Sequence, residues 1–266
     1  MTGYCSDLGI MKIITSKDNL TYKKALKLTK KKYRDETGLY LLEGVKPLED
    51  ALSLGTAVKT IFLRDGEQAG KSFSEEATVI LERELFDKLS ETRTSQGVIA
   101  VAQKKLCSFE TFAEAVSDGN ILVIDRLQDP GNIGTIIRTA EAAGYKGIMM
   151  IAGSGDVYAP KVVRAAAGSL FRMPIINTGR AAEAADMIKS LGKRIVVTCP
   201  DTELSCFDVD ITEDTALVIG NEGQGVSEEL RNASHIKVKI PMEGSIESLN
   251  AAVAAGILMY QSYKIN

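Results

Sequence analysis

The sequence contains no tryptophan and only one histidine, His235, among its 266 residues. A catalytic or metal site that needs several imidazoles is therefore excluded, and any use of imidazole in a mechanism depends on this residue alone. His235 lies in the segment ASHIKVKI, where polar and apolar residues alternate as they do in a strand. We therefore interpret it as a strand-end histidine without a catalytic role.

Cysteines are also few, and no two of them form a CxxC pair. This spacing excludes a zinc knuckle and a redox-active pair, and we predict no metal site. Scattered, unpaired cysteines fit a protein of the reducing cytoplasm. The four residues are Cys5, Cys107, Cys199 and Cys206.

Long apolar runs are absent as well. No stretch of about 18 uncharged apolar residues occurs, so the sequence predicts no membrane span. The amino-terminal MTGYCSDLGIM lacks the basic start and the apolar core of a secretory signal. The following MKIITSKDN offers Met11 as an alternative translation start to Met1. Hydrophobic residues make up 45% and charged residues 25% of the chain, which is typical of a globular protein and excludes a disordered chain or a coiled-coil rod.

A basic segment near the amino terminus is concealed by the formal net charge of −3. Between Lys12 and Arg34 there are nine basic residues and a single acidic one, Asp18, so the remainder of the chain is acidic. A basic segment on an acidic protein indicates a contact with nucleic acid. A solvated, lysine-rich helix face explains the same charges equally well.

Alternating apolar strands and amphipathic helices predict an α/β fold in two domains. We expect an unstructured lead-in over residues 1–11, a small α/β domain over 12–103, a linker with a helix over 104–118, and a second α/β domain over 119–266. The basic segment is predicted to form one helix from Asn19 to about Arg34, and PKVVRAAAGS is predicted to be helical. The strand–helix alternation of the second domain predicts a mostly parallel sheet that is covered on both faces.

Three glycine-containing loops in the second domain each follow a predicted strand. They are Asp129–Gly134, which leads into a helix carrying Arg138, then Gly220–Gly225, and finally Ile240–Ser245 with Ser248–Asn250 after it. Ligands of open α/β sheets bind at the carboxyl ends of the strands, where glycine lets the backbone approach them closely. Neither GxGxxG nor GxxxxGK[ST] spacing occurs, so a dinucleotide fingerprint and a P-loop are not predicted. Each loop alone has a structural explanation, but three of them together favour a ligand site.

The residues of these loops resemble the three motifs of the SpoU-type RNA ribose 2′-O-methyltransferases of the SPOUT superfamily. The matching segments are DPGNIGTIIRTAEAAG, LVIGNEGQGVS and IPMEGSIESLNAAVAAGILMYQ, and the resemblance extends from about Ile121 to Tyr263. The first half, with KKALKLTKKKYRDETGLYLLEG and TSQGVIAV, resembles more loosely the substrate-binding domain that some of these enzymes carry. That domain is similar in fold to ribosomal protein L30e and binds RNA.

The resemblance implies an α/β domain with a deep trefoil knot from roughly Thr198 to the carboxyl terminus. It also implies a homodimer, with the last helix and the helix of the first motif near the interface. S-adenosylmethionine is expected to bind among the knot loops, largely through backbone groups, and we expect a side chain at Gly220 to occupy space that this ligand needs. The residues matched to cofactor binding are Thr198, Gly220, Ile240, Met242 and Leu249.

The implied reaction is transfer of the sulfonium methyl group to a ribose 2′-OH. The family proposal assigns the arginine of the first motif, here Arg138, to activation of that hydroxyl. Because a guanidinium stays protonated, we interpret Arg138 as a bidentate clamp on a substrate phosphate rather than as a base. The proton acceptor is either Glu222 or an RNA phosphate. Asn132, Ser248 and Asn250 match motif residues that orient the site.

We therefore predict methylation of a ribose 2′-OH in structured RNA, with 23S rRNA as the favoured substrate and tRNA as the main alternative. A non-catalytic RNA-binding or ribosome-assembly protein on the same fold is a second alternative, which the joint presence of Asn132, Arg138 and Glu222 disfavours. A nucleotide-binding metabolic enzyme is disfavoured by the missing fingerprints. The residues predicted to contact RNA are Lys23, Lys24, Lys27, Lys30, Lys31, Lys32 and Arg34.

Overall fold

The computed structural model describes residues 12–67, 73–74, 77–92, 94–105, 107–243, 245 and 248–263. The chain divides into two compact units. The first contains the residues up to Lys105 together with Tyr158–Arg164, and the second contains the rest. The predicted lead-in over residues 1–11 lies outside the described residues.

The amino-terminal unit is a mixed sheet with helices packed on it. Its elements are, in chain order, β1 (Ile13–Ile14), α1 (Leu20–Lys27), α2 (Lys31–Thr37), β2 (Leu39–Glu43), α3 (Val45–Ser53), β3 (Val58–Arg64), β4 (Thr78–Leu81), α4 (Arg83–Leu89) and β5 (Val98–Gln103). The strand order is β1-β4-β3-β5-β2. β4 pairs in parallel with β1 and β3, whereas β5 pairs antiparallel with β3 and β2. Tyr22, Leu28, Phe62 and Phe86 belong to the core that joins α1 and α4 to this sheet.

The basic segment forms two helices, so the prediction of one helix from Asn19 to Arg34 is wrong. Asn19 caps α1 with its side-chain oxygen, and α1 ends at Lys27. The carbonyl groups of Leu28 and Thr29, in the turn before α2, accept hydrogen bonds from Arg34 Nη1 at 2.7 Å and 2.9 Å. Arg34 thereby satisfies main-chain groups that are left without partners where the first helix ends.

The carboxyl-terminal part of the chain alternates strands and helices. Its elements are α5 (Phe109–Ala115), β6 (Ile121–Ile124), α6 (Pro130–Ala142), β7 (Gly147–Ile151), α7 (Pro160–Ala165), α8 (Ser169–Arg172), β8 (Ile175–Thr178), α9 (Ala181–Ser190), β9 (Arg194–Thr198), β10 (Thr215–Ile219), α10 (Glu228–Ala233), β11 (Ile236–Val238) and α11 (Ala251–Gln261). A short 3-10 helix covers Cys206–Asp208.

The second sheet is parallel throughout, with strand order β11-β9-β10-β6-β7-β8. Every residue of β6, β7 and β10 is buried, as expected for a parallel sheet that is covered on both faces. Gly147 in β7 allows α5 to pack closely, because a Cβ atom there would lie 2.7 Å from side-chain atoms of Phe112 and Val116. The predicted mixed α/β architecture with a mostly parallel second sheet is confirmed.

The segment PKVVRAAAGS differs from its prediction as a continuous helix. It breaks into α7 and α8 because Ala167 and Gly168 both adopt positive φ, at 47° and 86°. A residue in the left-handed region ends an α-helix. Among the described residues, no helix has the length and apolar character that crossing a membrane requires.

His235 lies directly before β11. Its Nδ1 atom accepts a hydrogen bond from the main-chain N–H group of Ile195 at 3.0 Å, and the main-chain N–H group of His235 donates to the Ile195 carbonyl at 2.9 Å. This histidine therefore joins β9 to the edge of the sheet, as its interpretation as a strand-end residue requires.

Candidate active site

A cleft of about 480 Å³ lies at the carboxyl ends of β9, β10 and β11. Its wall is formed by the loops after those strands and by the start of α11. The five residues matched to cofactor binding line it, together with four of the five matched to catalysis. The nine residues are Thr198, Gly220, Ile240, Met242, Leu249, Asn132, Glu222, Ser248 and Asn250.

The first and third motifs meet at a pair of asparagines. Asn250 Nδ2 donates a hydrogen bond to Asn132 Oδ1 at 3.0 Å. Asn250 Oδ1 caps α11 by accepting from the N–H groups of Ala252 and Val253. Asp129 caps α6 and accepts from the Asn132 N–H group at 2.8 Å. Both asparagines are therefore held at helix amino termini, with their amide groups oriented at the edge of the cleft.

The second motif is joined to the first through Glu222. Its two carboxylate oxygens accept hydrogen bonds from the N–H groups of Gln128 at 3.4 Å and Asp129 at 3.2 Å. The negative charge of this carboxylate also interacts favourably with the positive end of the α6 dipole, at the amino terminus of that helix. Glu222 therefore braces the loop that carries Asn132, besides being an exposed carboxylate within the cleft.

Arg138 is the exception among the predicted catalytic residues. It is exposed on α6 and is not one of the described residues that line the cleft. It lies six positions after Asn132, which corresponds to about 9 Å along a helix axis. It shares an exposed stripe of α6 with Thr135 and Ala142. A single copy of the chain thus leaves the clamp residue outside the cleft.

Gly220 lines the cleft, and the structure gives a reason for a glycine there that does not depend on a ligand. A Cβ atom at this position would lie 2.4 Å from the carbonyl carbon of Gly225 and 2.4 Å from the nitrogen of Val226. A side chain would therefore collide with the protein's own loop before it reached a ligand. Substitution of Gly220 tests the packing of the loop and is a poor probe of ligand space.

The predicted RNA contacts separate into two groups. The lysines are exposed, and some have partners: Lys23 pairs with Asp18 at 2.7 Å, and Lys27 Nζ lies 5.3 Å from the centre of the Tyr33 ring. Arg34 is only 3% exposed, and its guanidinium is bonded to main-chain carbonyls. The prediction of Arg34 as an RNA contact is wrong, because its buried guanidinium donates hydrogen bonds to the protein's own main chain.

Several residues of the cleft were not singled out by the sequence. Cys199 and Lys239 line it and directly follow β9 and β11, whereas Asn221 is the second residue after β10, in the Gly220–Gly225 loop but without a predicted role of its own. Their places at strand ends are the signal that could have found them. Lys239 Nζ lies 3.2 Å from Glu203. Arg126, next to the first motif, also carries no signal in the sequence, but its guanidinium donates hydrogen bonds to Gln224 and Gly225 of the second motif.

Comparison with known proteins decides the family. The SpoU rRNA Methylase family profile matches residues 119–260, and the profile of an MRM3-like substrate binding domain matches residues 19–100. The chain belongs to the SpoU rRNA methylase family.

Two relatives of this SpoU-family protein are similar over most of its length. The 23S rRNA (guanosine(2553)-2'-O)-methyltransferase RlmP of Bacillus subtilis is 34% identical over 254 residues, covering 94% of this chain and 98% of the relative. A 23S rRNA (uridine(2479)-2'-O)-methyltransferase of Streptomyces viridochromogenes is 34% identical over 244 residues, covering 87% and 84%. The resemblance to SpoU-type 2′-O-methyltransferases is thus confirmed.

Solved structures of similar proteins cover both halves of the SpoU-family chain. An AdoMet-bound rRNA methyltransferase from Sinorhizobium meliloti has a TM-score of 0.84 at 29% identity, covering 96% of this chain and 98% of that chain. The SpoU methyltransferase AviRb from Streptomyces viridochromogenes, in complex with AdoMet, has a TM-score of 0.83 at 30% identity, covering 92% and 97%. The fold is therefore shared with methyltransferases that were crystallised with this ligand.

Proposed function

We propose that the protein transfers a methyl group from S-adenosylmethionine to a ribose 2′-OH of 23S rRNA. The observation that carries this proposal is the cleft, where residues from all three motifs meet around one space. The names of the 23S rRNA 2'-O-methyltransferases that share 34% identity support the same substrate and the same atom.

The residues of the cleft fit S-adenosylmethionine. Apolar side chains of Ile219, Val238, Ile240 and Leu249 offer surfaces for an adenine ring, and the main chain around Gly220 offers donors and acceptors for its edge. The volume of about 480 Å³ lies within the range of small-molecule sites, roughly 300–1,000 Å³. When bound, S-adenosylmethionine supplies a methyl group on a positively charged sulfur, an excellent leaving group.

The protein's own residues position the ribose and favour its ionisation. Asn132, Ser248 and Asn250 present polar groups at the cleft edge, where they can hold the ribose in line. Arg138 is the clamp on a substrate phosphate, and its permanent charge stabilises the developing oxyanion. The departing proton goes to Glu222 or to an RNA phosphate.

A homodimer completes the site in this proposal. α11 has the sequence AAVAAGILMYQ and is apolar on every side, yet Val253 and Tyr260 are each 53% exposed. α11 packs against α6, so the exposed stripe of α6 that carries Arg138 borders this apolar surface. A second copy that covers α11 would bury it and bring Arg138 of one protomer to the cleft of its partner.

The finer features of the fold belong to the same proposal. They are a trefoil knot from roughly Thr198 onward, an L30e-like RNA-binding domain over 12–103, a linker over 104–118 and a methyltransferase domain over 119–266. A cytoplasmic location follows from an rRNA substrate. The exposed lysines of α1 and α2 form the proposed RNA surface, which consists of Lys23, Lys24, Lys27, Lys30, Lys31 and Lys32.

Mixed dimers test the function and the shared site together. Arg138→Ala and Asn250→Ala should each be inactive with unmodified 23S rRNA. If Arg138 serves the partner's cleft, co-expressed variants that mix at random should recover about a quarter of the wild-type activity, because half of the dimers then hold one intact site. If Arg138 acts in its own cleft, the mixture stays inactive. If the wild type transfers the methyl group to tRNA and not to rRNA, tRNA replaces 23S rRNA as the substrate. If it binds RNA but transfers no methyl group, the non-catalytic alternative is supported.

A further inference from the structure

Arg126 adopts an unusual backbone conformation between the first strand of the domain and the first motif. Its φ is 59°, in the left-handed region that a residue with a side chain seldom occupies. It directly follows Asp125, whose side chain is fully buried. A non-glycine residue keeps this conformation only where its surroundings hold it there, and such residues cluster at functional sites.

The side chain of Arg126 spans the gap to the second motif. Its Nε atom donates to Asp125 Oδ1 at 2.8 Å, which fixes the base of the guanidinium. Nη1 donates to Gln224 Oε1 at 2.9 Å, and Nη2 donates to the Gly225 carbonyl at 3.2 Å. One guanidinium thus connects the end of β6 with two consecutive residues of the loop after β10.

The main chain of Arg126 makes a second connection to the same loop. Its carbonyl group accepts a hydrogen bond from Asn221 Nδ2 at 2.8 Å, and its N–H group donates to Ser154 Oγ at 2.9 Å. The other amide atom of Asn221, Oδ1, accepts from the N–H groups of Gly223 and Gln224 at 3.0 Å each. The left-handed conformation of Arg126 therefore directs its carbonyl group and its side chain to the two ends of one turn.

We propose that Arg126 is a positioning residue that holds the 220–225 loop in the shape that binds S-adenosylmethionine. This inference rests on the proposed function. Gly220, Asn221, Glu222 and Gly225 line the cleft, whereas Arg126 and Gln224 are not among the described lining residues. Arg126 therefore acts on the ligand only through the loop. Preorganisation of this kind raises affinity because the loop does not have to be ordered at the moment of binding.

Two substitutions remove the side chain without opposing the backbone conformation. Glycine and asparagine both tolerate the left-handed region. Arg126→Gly and Arg126→Asn therefore remove the guanidinium without adding backbone strain. We expect each to weaken S-adenosylmethionine binding about tenfold or more by calorimetry. The KM for S-adenosylmethionine should rise by a similar factor, whereas the KM for RNA stays within about twofold. In the ligand-free variants, amide hydrogen exchange at Gly223, Gln224 and Gly225 should accelerate.

Removing Arg126 also leaves the buried Asp125 without its ion pair, which lowers stability by itself. Gln224→Ala avoids this problem because it keeps the Arg126–Asp125 pair and breaks only the far end of the connection. It should weaken ligand binding in the same direction by a smaller factor, with an unchanged melting temperature. The S-adenosylmethionine affinity of Arg126→Lys should lie between those of the wild type and Arg126→Gly. One ammonium group cannot reach all three acceptors that the guanidinium contacts.

Arg194→Gln is the matched control. Its guanidinium also donates to two loop carbonyls, those of Asp210 and Glu213, but at the opposite end of β9. It should leave ligand affinity unchanged. If the wild type binds S-adenosylmethionine and folded Arg126→Gly and Gln224→Ala bind it equally well, the positioning role is wrong. If the wild type itself does not bind, the proposed function has failed instead.

Discussion

The two halves of the molecule hold their functional residues in opposite ways. In the cleft, Asn132, Glu222 and Asn250 are each bonded to main-chain groups or to one another, so their geometry is set by the fold. On α1 and α2, the lysines extend from an exposed surface, with few partners. Chemistry at one atom needs fixed groups, whereas attraction of a polyanion needs only charge. The comparison predicts that substitutions in the cleft lower the turnover rate, whereas substitutions of the lysines on α1 and α2 lower the affinity for RNA.

The largest effect is expected at Arg138. Arg138→Ala should lower methyl transfer by about 100- to 1000-fold, the range seen when one group that stabilises an oxyanion is lost. S-adenosylmethionine affinity, measured by calorimetry, should remain within twofold, since Arg138 is outside the cleft. Arg231→Ala, at an exposed position on α10, is the control and should retain activity. Turnover near the wild-type rate in Arg138→Ala would contradict the clamp.

A second substitution separates the two roles of Asn250. Asn250→Asp keeps the oxygen that caps α11 but cannot donate to Asn132 Oδ1. We expect kcat to fall about 10- to 100-fold because the ribose is no longer aligned, while the melting temperature is kept by the cap. Asn250→Ala should lower both kcat and the melting temperature, because it removes the bond to Asn132 and the helix cap. An active Asn250→Asp enzyme would show that the asparagine is only a cap.

The helices of the first domain should respond to salt instead. Neutralising Lys30, Lys31 and Lys32 together should weaken RNA binding and reduce the slope of log K against log salt by about one unit per lost phosphate contact. Ligand affinity should not change.

The matched control removes the same charge from other exposed lysines of the amino-terminal unit, namely Lys59, Lys88 and Lys105. If the control triple variant and the α1–α2 triple variant lose the same affinity, the effect is one of net charge, and the proposed RNA surface is wrong.

Arg34 belongs to the same charged segment but should behave like a core residue. Arg34→Met leaves the carbonyls of Leu28 and Thr29 without this donor, which should lower the free energy of unfolding by about 1–3 kcal/mol. The salt slope of RNA binding should stay unchanged. Lys31→Met at an exposed position serves as the control and should not alter stability. A changed salt slope in a folded Arg34→Met protein would return this residue to the RNA surface.

The last effect concerns the stability of the second domain and is confined to alkaline pH. Tyr145 is buried and its hydroxyl lies 2.9 Å from Ser262 Oγ; burial raises the pKa of Tyr145 to about 12. The unfolded chain loses this proton near pH 10 while the folded chain keeps it, so stability should fall by up to about 3 kcal/mol as pH rises from 10 to 12.

Tyr145→Phe should remove this part of the pH dependence and cost about 1 kcal/mol at neutral pH. Tyr263→Phe, at a half-exposed tyrosine, is the control. Equal alkaline profiles for wild type and Tyr145→Phe would show that this group does not titrate as described.

The sequence predicts which residues line the cleft because each motif is a short continuous segment that begins soon after the end of a strand. The residues of the cleft come together because the strands lie in the order β11-β9-β10-β6. No local sequence pattern predicts that order. Gly220 shows a further limit: the sequence indicates a close approach at this glycine, but not that the approaching atoms belong to Gly225 and Val226.

Charge patterns are less informative about single residues. Counting basic residues treats Arg34 and its neighbouring lysines alike, although one is buried and the others are exposed. The carbonyl groups that Arg34 satisfies become available only because α1 ends at Lys27. Likewise, the role of Arg126 depends on a left-handed backbone and on partners about 100 positions away along the chain, which no local motif reveals.

The most direct test of methyl transfer to a ribose is the fate of the label. Unmodified 23S rRNA is incubated with the protein and S-adenosylmethionine labelled in its methyl group, and the RNA is then hydrolysed in alkali. A methylated 2′-oxygen cannot attack the neighbouring phosphodiester, so we predict that the label is recovered in alkali-resistant dinucleotides, and that Arg138→Ala transfers almost none. Label recovered in mononucleotides, which indicates methylation of a base, or no transfer by a wild-type protein that binds both substrates, would contradict the account.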